Sequence, residues 1–325
     1  MTSDSAPRFP DRKAVVVLLV GPTAVGKTEI SLQLAERIGA EIVSVDSRLF
    51  YRGMDIGTAK PTWQEQKRVP HHLIDVADPD ETLSLAEFQH LAFAAIATIL
   101  DRAGLPLLVG GTGQYARAVT SGWNPPRVGP QEQLRAELGR LTAQHGGLWL
   151  HERLGILDPE AAASIDARNT RRTVRALEVI LTTGRRFSAQ RGRGASPYRS
   201  IVLGLRRARV DLYARIDQRI ESMWQHGLAE ETRRLLEKGY DADLPAMSAI
   251  GYSQCIRVIR GELEPDQAMA EMRRATRALV RRQSNWFKDS DPQIAWFEAG
   301  DPKVVDRMEQ HISQERAALS ASPRV

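Results

Sequence analysis

Cysteine is nearly absent from this chain of 325 residues, which contains only Cys255. A single thiol excludes an internal disulfide and any zinc site built from several cysteines, and it is typical of a reducing compartment. The seven histidines include no pair at the spacing that lets two of them share a metal ion on one helix face. The sequence therefore predicts a cytoplasmic protein without zinc.

Long apolar runs are also missing near the N-terminus. Residues 14–20 form the longest run there, and it is far too short to span a bilayer. Asp4 and Asp11 precede it and no small-residue cleavage motif follows it, so we expect neither a signal peptide nor a membrane partner.

Acidic residues are scarce in two basic stretches. Residues 168–215 hold thirteen arginines and no lysine, with only Glu178 and Asp211 as acids, although the formal charge of the whole chain is just +5. The second stretch lies within residues 273–288, where five arginines and Lys288 occur without any acid. Clustered arginine favours phosphate contacts, so both stretches predict nucleic-acid binding. The alternative is a solvated surface in an arginine-biased chain, but such bias does not explain the missing acids.

A phosphate-binding loop is the most specific local signal. Residues 14–20 read as a buried strand, and apolar residues from Ile30 to Ile38 follow a helical period that ends at Gly39. The loop between them fits the pattern G-x-x-x-x-G-K-[ST] with Gly21, Pro22, Thr23, Ala24, Val25, Gly26, Lys27 and Thr28. Its backbone N–H groups and the Lys27 ammonium can hold a diphosphate or polyphosphate, and the Thr28 hydroxyl can bind Mg²⁺.

An acid at the end of the next strand limits the kinds of phosphate ligand and reaction that fit this loop. Residues 41–45 read as a strand that ends in Asp46, at the edge where α/β proteins bind ligands. Many nucleoside-triphosphate hydrolases carry a metal-binding Asp after a later strand, but the predicted strand at 106–109 runs into Gly110 and Gly111. We therefore favour Asp46 as a catalytic base beside the loop; its alternative role is to cap the following turn.

The order of the predicted elements indicates an α/β fold. Strands at 14–20, 41–45 and 106–109 alternate with helices, which predicts a parallel sheet, and further strands are expected at 200–205 and 294–297. A helix at 84–103 begins at Ser84, with Glu87 placed for a capping box. We predict a P-loop parallel-sheet core (14–123 and 200–312) with a helical C-terminal part, a mostly helical insertion domain (124–199) that binds nucleic acid, and polar tails at 1–13 and 313–325.

Several motifs together resemble the tRNA dimethylallyltransferase family, also called tRNA isopentenyltransferase. The most specific is the eleven-residue stretch at 51–61, YRGMDIGTAKP, and the matching segments run in the family's order from about residue 14 to about 298. They comprise the P-loop, VDSR at 45–48, HHLID at 71–75, GGTG at 110–113, RALE at 175–178, GY at 251–252 and RRQSNWF at 281–287. The chain lacks the zinc finger that eukaryotic members often carry, so it is similar to the bacterial type.

The resemblance implies transfer of a dimethylallyl group from its diphosphate to N6 of the adenosine next to the anticodon of a tRNA. It implies Asp46, Lys27 and Arg215 as catalytic residues, the P-loop with Thr23 and Arg215 on the diphosphate, Mg²⁺ as cofactor, and the tRNA anticodon stem-loop as partner. We expect a monomer. Arg215 has an alternative as a surface partner of Asp211, and Thr112 as a helix cap. The implied tRNA contacts are Asp46, Ser47, Arg48, Leu49, Thr112, Arg171, Arg172, Arg175, Gly251, Tyr252, Arg281, Arg282, Gln283, Trp286 and Lys288.

Two details and three competing functions stay open. Ser248 and Ser253 are less basic than the arginines of some family members, and the rings of Tyr252 and Trp286 either stack on bases or belong to the core. The alternatives are a prenyltransferase acting on free adenosine nucleotides, a small-molecule P-loop kinase, and a non-catalytic RNA-binding protein. The first needs no basic stretches, the second consumes ATP, and the third has no use for Asp46.

Overall fold

The computed structural model describes residues 14–126, 128–190 and 192–321. The predicted N-terminal tail, 1–13, lies outside the described residues. Within the described part of the chain, no helix has both the length and the apolar character needed to cross a membrane.

The described residues contain eight strands, which form two sheets. They are β1 (Val15–Val20), β2 (Ala40–Ser44), β3 (His71–His72), β4 (Leu105–Gly110), β5 (Trp123–Asn124), β6 (Gly192–Arg193), β7 (Arg199–Arg206) and β8 (Ile294–Glu298). The main sheet has the order β3-β2-β4-β1-β7-β8 with every pair parallel, and β5 and β6 form a separate antiparallel pair. The predicted parallel-sheet α/β core is confirmed.

Strand β1 lies in the middle of the main sheet because its apolar side chains are buried on both faces. Val17 pairs with Leu107 of β4, and Leu19 pairs with Leu203 of β7. All of these residues have zero exposure except Ile201, the β7 partner of Val17, which is 4% exposed. Continuous apolar strands of this kind are typical of parallel sheets covered on both faces.

The same part of the chain contains fourteen helices. They are α1 (Lys27–Ile38), α2 (Trp63–Arg68), α3 (Leu85–Asp101), α4 (Gly113–Thr120), α5 (Glu132–His145), α6 (Gly147–Leu157), α7 (Pro159–Ser164), α8 (Thr170–Thr183), α9 (Phe187–Gln190), α10 (Arg209–Gln225), α11 (Leu228–Glu237), α12 (Tyr252–Ile259), α13 (Pro265–Ser284) and α14 (Val304–Ala321). The capping box expected at the start of α3 is present: the Ser84 N–H donates to Glu87 at 2.7 Å, and the Glu87 N–H donates to Ser84 Oγ at 3.2 Å.

The chain divides into two compact units. The first contains the main sheet and extends to Thr82, then takes in Leu91–Thr120 and everything from Pro197 onward. The second consists of Leu83–His90 and Ser121–Ser196, and helices α5, α6 and α8 enclose its small apolar core around Leu138, Leu154 and Leu177. The predicted insertion at 124–199 overlaps most of this unit, which also contains residues 83–90 of the predicted core domain.

Helix α14 occupies residues 313–321 of the segment predicted as a C-terminal tail. Helix α14 continues to Ala321 because residues 314–319, QERAAL, are good helix formers. Leu319 is partly buried against the core, and its carbonyl accepts a hydrogen bond from Arg199 at 2.8 Å. Residues 322–325 lie outside the described part of the chain.

Candidate active site

The P-loop, β2 and α10 meet at one pocket of the first unit. Its volume is about 290 Å³. Its walls come from the P-loop and the start of α1, the turn after β2, helix α2 and the segment before it, the end of β4, and one face of α10. The lining residues are Thr23, Ala24, Gly26, Lys27, Thr28, Glu29, Asp46, Leu49, Thr58, Ala59, Glu65, Val109, Gly110, Arg215 and Arg219. The structure thus brings most of the predicted P-loop, Asp46, Leu49 and Arg215 together, as parallel strands that end at the same edge require.

Lys27 is the first residue of α1, and its ammonium folds back onto the loop. Nζ donates to the carbonyl oxygens of Gly21 at 3.0 Å and Pro22 at 2.8 Å. Burial lowers the pKa of Lys27 to about 8, nearby Arg219 lowers it as well, and Asp46 acts in the opposite direction. The ammonium is therefore a poorly hydrated charge that a phosphate oxygen would stabilise.

Asp46 lies just after β2, separated from it by Val45, and its contacts are compatible with both of the roles considered for it. Its Oδ1 accepts a hydrogen bond from the Arg48 N–H at 3.1 Å, which caps the turn after β2, and its side chain also lines the pocket. The carboxylate acts on both Lys27 and Arg219, since it raises the pKa of each against the effect of burial. A carboxylate that is fixed at the wall of the pocket is positioned to accept a proton from a bound substrate.

Two arginines on one face of α10 complete the charged wall. The Arg215 Nε donates to the Ala24 carbonyl of the P-loop at 2.9 Å, and among the described residues no ion pair joins Arg215 to Asp211. Arg219 lies one turn further along α10, and burial lowers its pKa, as does Arg215. The motifs of the sequence do not include Arg219, although its i,i+4 spacing from Arg215 predicts a position on the same helix face.

Helix α13 contacts the P-loop through Gln283. This side chain is 8% exposed, and its Oε1 accepts a hydrogen bond from the Thr23 N–H at 2.8 Å. Trp286 packs over Gly113 at the start of α4, and the Arg117 guanidinium lies 5.4 Å from its ring centre. The Thr112 carbonyl accepts the first backbone hydrogen bonds of α4, from Tyr115 and Ala116. Gln283 is thus placed to hold the loop and not on an open surface.

Tyr252 belongs to the core, which argues against the base-stacking role considered for it. Its ring is fully buried, and its hydroxyl donates to Glu231 at 2.6 Å. Gly251 precedes α12, and its N–H donates to Gln254 at 2.8 Å. Arg48, another predicted tRNA contact, donates to the Pro245 carbonyl at 3.2 Å.

The predicted arginine contacts fall into two groups. Arg171, Arg172, Arg281, Arg282 and Lys288 are exposed. Arg175 is not, because its guanidinium donates to Glu178 at 2.6 Å and to the Val128 carbonyl at 2.8 Å. Arg273 and Arg277 also have an acidic partner, Asp217 of α10. The absence of acids along a sequence therefore does not mean that every arginine in it is unpaired.

The pocket offers oxygen ligands for a divalent cation. Among the described residues, no group of three or more His, Cys, Asp or Glu side chains could hold a metal ion by itself. Thr28 is exposed at the pocket and Asp46 lines it too. Mg²⁺ keeps several waters and is often held by one or two protein oxygens together with substrate phosphates, so these residues fit that ion.

The sequence of the chain matches a known protein family. The sequence model of the family described as IPP transferase matches residues 49–290. A tRNA dimethylallyltransferase of Roseiflexus sp. (strain RS-1) is 52% identical over 273 residues, covering 84% of this chain and 90% of that protein. The corresponding protein of Thermomicrobium roseum is 43% identical, with 94% and 92% covered.

Solved structures agree with the sequence relatives. The tRNA isopentenylpyrophosphate transferase of Bacillus halodurans superposes with a TM-score of 0.71 at 39% identity, covering 95% of this chain and 98% of that one. A eukaryotic dimethylallyltransferase, described as acting on tRNA, gives a TM-score of 0.77 at 23% identity and supports the fold alone. The family model matches residues 49–290, the two relatives cover 84% and 94% of the chain, and the fold is shared. The chain belongs to the IPP transferase family.

Proposed function

We propose that this chain transfers a dimethylallyl group from dimethylallyl diphosphate to N6 of the adenosine on the 3′ side of the anticodon in tRNA, and releases diphosphate. The observation that carries this proposal is the pocket, where the Asp46 carboxylate lies among the P-loop and three cations, Lys27, Arg215 and Arg219. An anion-binding wall and a proton acceptor at one place are what the reaction needs.

The P-loop holds the group that leaves. As the bond between the allylic carbon C1 and the diphosphate oxygen breaks, the electron pair passes to that oxygen and negative charge grows there. The N–H groups of the loop, Lys27 and Arg215 stabilise this charge, and such preorganised stabilisation is commonly the largest single contribution to catalysis.

Asp46 accepts the proton. The adenine N6 forms its new bond to C1 and must lose one hydrogen, since the amine would otherwise keep a positive charge. A carboxylate within hydrogen-bond reach of N6 contributes roughly 10²–10⁴-fold to such a step. The adenine has to leave its stack to reach the pocket, at a cost of about a few kcal/mol.

Mg²⁺ is the cofactor that fits this site. Thr28 and the diphosphate oxygens would hold it, and when bound it would neutralise charge on the leaving group. The exposed arginines of α8 and α13 would bind the phosphates of the anticodon stem-loop, with Arg171, Arg172, Arg281, Arg282 and Lys288 as contacts.

Two experiments test this proposal: a label-transfer assay and a substitution of the proposed catalytic base, Asp46. Dimethylallyl diphosphate labelled in the prenyl group is incubated with the protein and with tRNA, AMP, or ATP plus an acceptor. We expect label in tRNA alone, without ATP consumption. Asp46→Asn should lower turnover roughly 10²–10⁴-fold and leave tRNA affinity nearly unchanged. Asp101→Asn is the matched control, because Asp101 is exposed at the end of α3. Near-normal turnover of the Asp46 variant would remove it from the mechanism, and label in AMP would indicate the nucleotide prenyltransferase.

A further inference from the structure

Residues 55–59, within the specific stretch at 51–61, form a tight turn that has no role in the proposed mechanism as described above. One carboxylate holds this turn from the side of α11. Glu231 is 4% exposed and accepts hydrogen bonds from the backbone N–H groups of Asp55 at 3.1 Å, Ile56 at 2.9 Å and Gly57 at 3.3 Å. Such a convergent set of donors around a buried carboxylate fixes the path of the backbone, because each lost bond would leave a buried group unsatisfied.

Tyr252 of α12 contacts both Glu231 and the turn. Its hydroxyl donates to Glu231 at 2.6 Å, and burial together with the charge of Glu231 raises the pKa of Tyr252, so it remains a donor. Its ring packs so closely on Gly57 that a Cβ there would lie 2.4 Å from Cε2. Only glycine therefore fits this point of the turn.

Lys60 fixes the other end of the turn. Its side chain is 3% exposed, and Nζ contacts the carboxylates of Asp55 and Asp75 at 2.5 Å each. Nζ also donates to the Tyr51 carbonyl at 2.8 Å. Between Glu231 and Lys60 the backbone of residues 55–59 has little freedom to move.

The opposite side of the turn faces the pocket. Thr58 and Ala59 line it, and the Thr58 carbonyl accepts a hydrogen bond from Arg219 Nη2 at 3.3 Å. The Thr58 hydroxyl is directed away from this contact, since it donates to the Met54 carbonyl at 2.6 Å. The turn thus joins the buried Glu231 to a cation of the leaving-group site.

We propose that Glu231 is a positioning residue for the transfer reaction: through the turn at residues 55–59 it places the Thr58 carbonyl, and through that carbonyl it orients the Arg219 guanidinium toward the diphosphate. This inference rests on the proposed function. It assigns a role to the stretch at 51–61, whose residues other than Thr58 and Ala59 do not line the pocket. Glu231 itself does not touch the substrate.

A double-mutant cycle measured by binding separates this role from general stabilisation. The probe is inorganic pyrophosphate with Mg²⁺, titrated calorimetrically into wild type, Glu231→Gln, Arg219→Ala and the double variant. Gln keeps the shape but turns an N–H₂ donor toward backbone donors. We expect Glu231→Gln and Arg219→Ala each to weaken binding about tenfold, and the double variant to be within about twofold of Arg219→Ala alone, since coupled residues are not additive.

Two further measurements test whether the loss of binding comes from misfolding or from a general loss of charge. Tyr252→Phe removes one of the donors to Glu231 and no charge; it should weaken pyrophosphate binding in the same direction by a smaller factor, and it serves if Glu231→Gln fails to fold. The salt dependence of tRNA binding should not change in either variant. Fully additive losses, or unchanged pyrophosphate binding in folded Tyr252→Phe and Glu231→Gln protein, would overturn the inference. Absence of label transfer by the wild type would refute the proposed function separately, because the binding cycle does not depend on turnover.

Discussion

Arg175→Ala should destabilise the second unit, because Arg175 neutralises a buried acid. The Glu178 side chain has zero exposure and also accepts from Arg135 Nε at 2.7 Å and the Gln131 N–H at 2.8 Å. Removal of one partner of a buried ion pair costs about 3–5 kcal/mol when nothing replaces it. Arg135 and Gln131 remain here, so we expect about 1–3 kcal/mol, the range for a buried acceptor that loses one donor.

Thermal unfolding measures this loss directly. One kcal/mol shifts Tm by about 4–8 °C in a domain of 60–100 residues, so Arg175→Ala should lower the transition of the second unit by roughly 4 °C or more. Arg171→Ala and Arg172→Ala are the matched controls, since both lie exposed on α8, where substitutions change stability by about 0.5 kcal/mol or less.

Salt titrations of tRNA binding give the complementary measurement. Loss of an exposed phosphate contact should flatten the log–log slope by about one unit, and we expect this for Arg171→Ala and Arg172→Ala. Arg175→Ala should change the slope less, because the Arg175 charge is already paired with Glu178. An unchanged Tm together with a slope flattened by about one unit would show that Arg175 is an ordinary phosphate contact and would refute this reasoning.

Three more predictions concern the loop and the buried acid. Lys27→Ala should raise KM for dimethylallyl diphosphate and lower kcat in steady-state assays, because the leaving group loses its nearest ammonium; unchanged constants would contradict this. Thr28→Ala should raise the Mg²⁺ concentration needed for half-maximal turnover, whereas an unshifted Mg²⁺ titration would exclude Thr28 as a ligand. Burial raises the pKa of Glu178, but Arg135, Arg175 and the Gln131 N–H outweigh it and hold the pKa below its ordinary 4.5. Its stabilisation is therefore present above about pH 4.5 and lost as pH falls through the folded-state value, so urea midpoints should fall with acid in the wild type and less in Glu178→Gln.

The sheet could be predicted from the sequence because its signals are local. Residues 14–20 are apolar without interruption, and β1 covers Val15–Val20; residues 294–297 were expected as a strand, and β8 covers Ile294–Glu298. The P-loop pattern then predicts a strand before the loop and a helix after it. Asp46 could be placed for the same reason, since it follows the strand next in sequence.

Pairings between distant elements could not be predicted in this way. Glu231 lies more than 170 residues from the turn it holds, and Asp217 pairs with Arg277 sixty positions later. Nothing in the local pattern distinguishes these acids from solvated ones. Tyr252 shows the same limit, because an aromatic at the start of a helix can face either the core or a ligand.

The end of β4 explains why this P-loop protein lacks the second acid that many nucleoside-triphosphate hydrolases use. Gly110 lines the pocket where such an Asp would follow the strand, but a Cβ there would lie 2.7 Å from the Val45 carbonyl carbon and oxygen. At Gly111 a Cβ would lie 2.4 Å from Gln283 Nε2, so neither position accepts a carboxylate without movement of its neighbours. The Thr28 hydroxyl would then hold a metal ion in this pocket together with the oxygens of the ligand. That set suits a diphosphate that departs intact, because the site has to stabilise charge on the leaving group and has no attacking water to place.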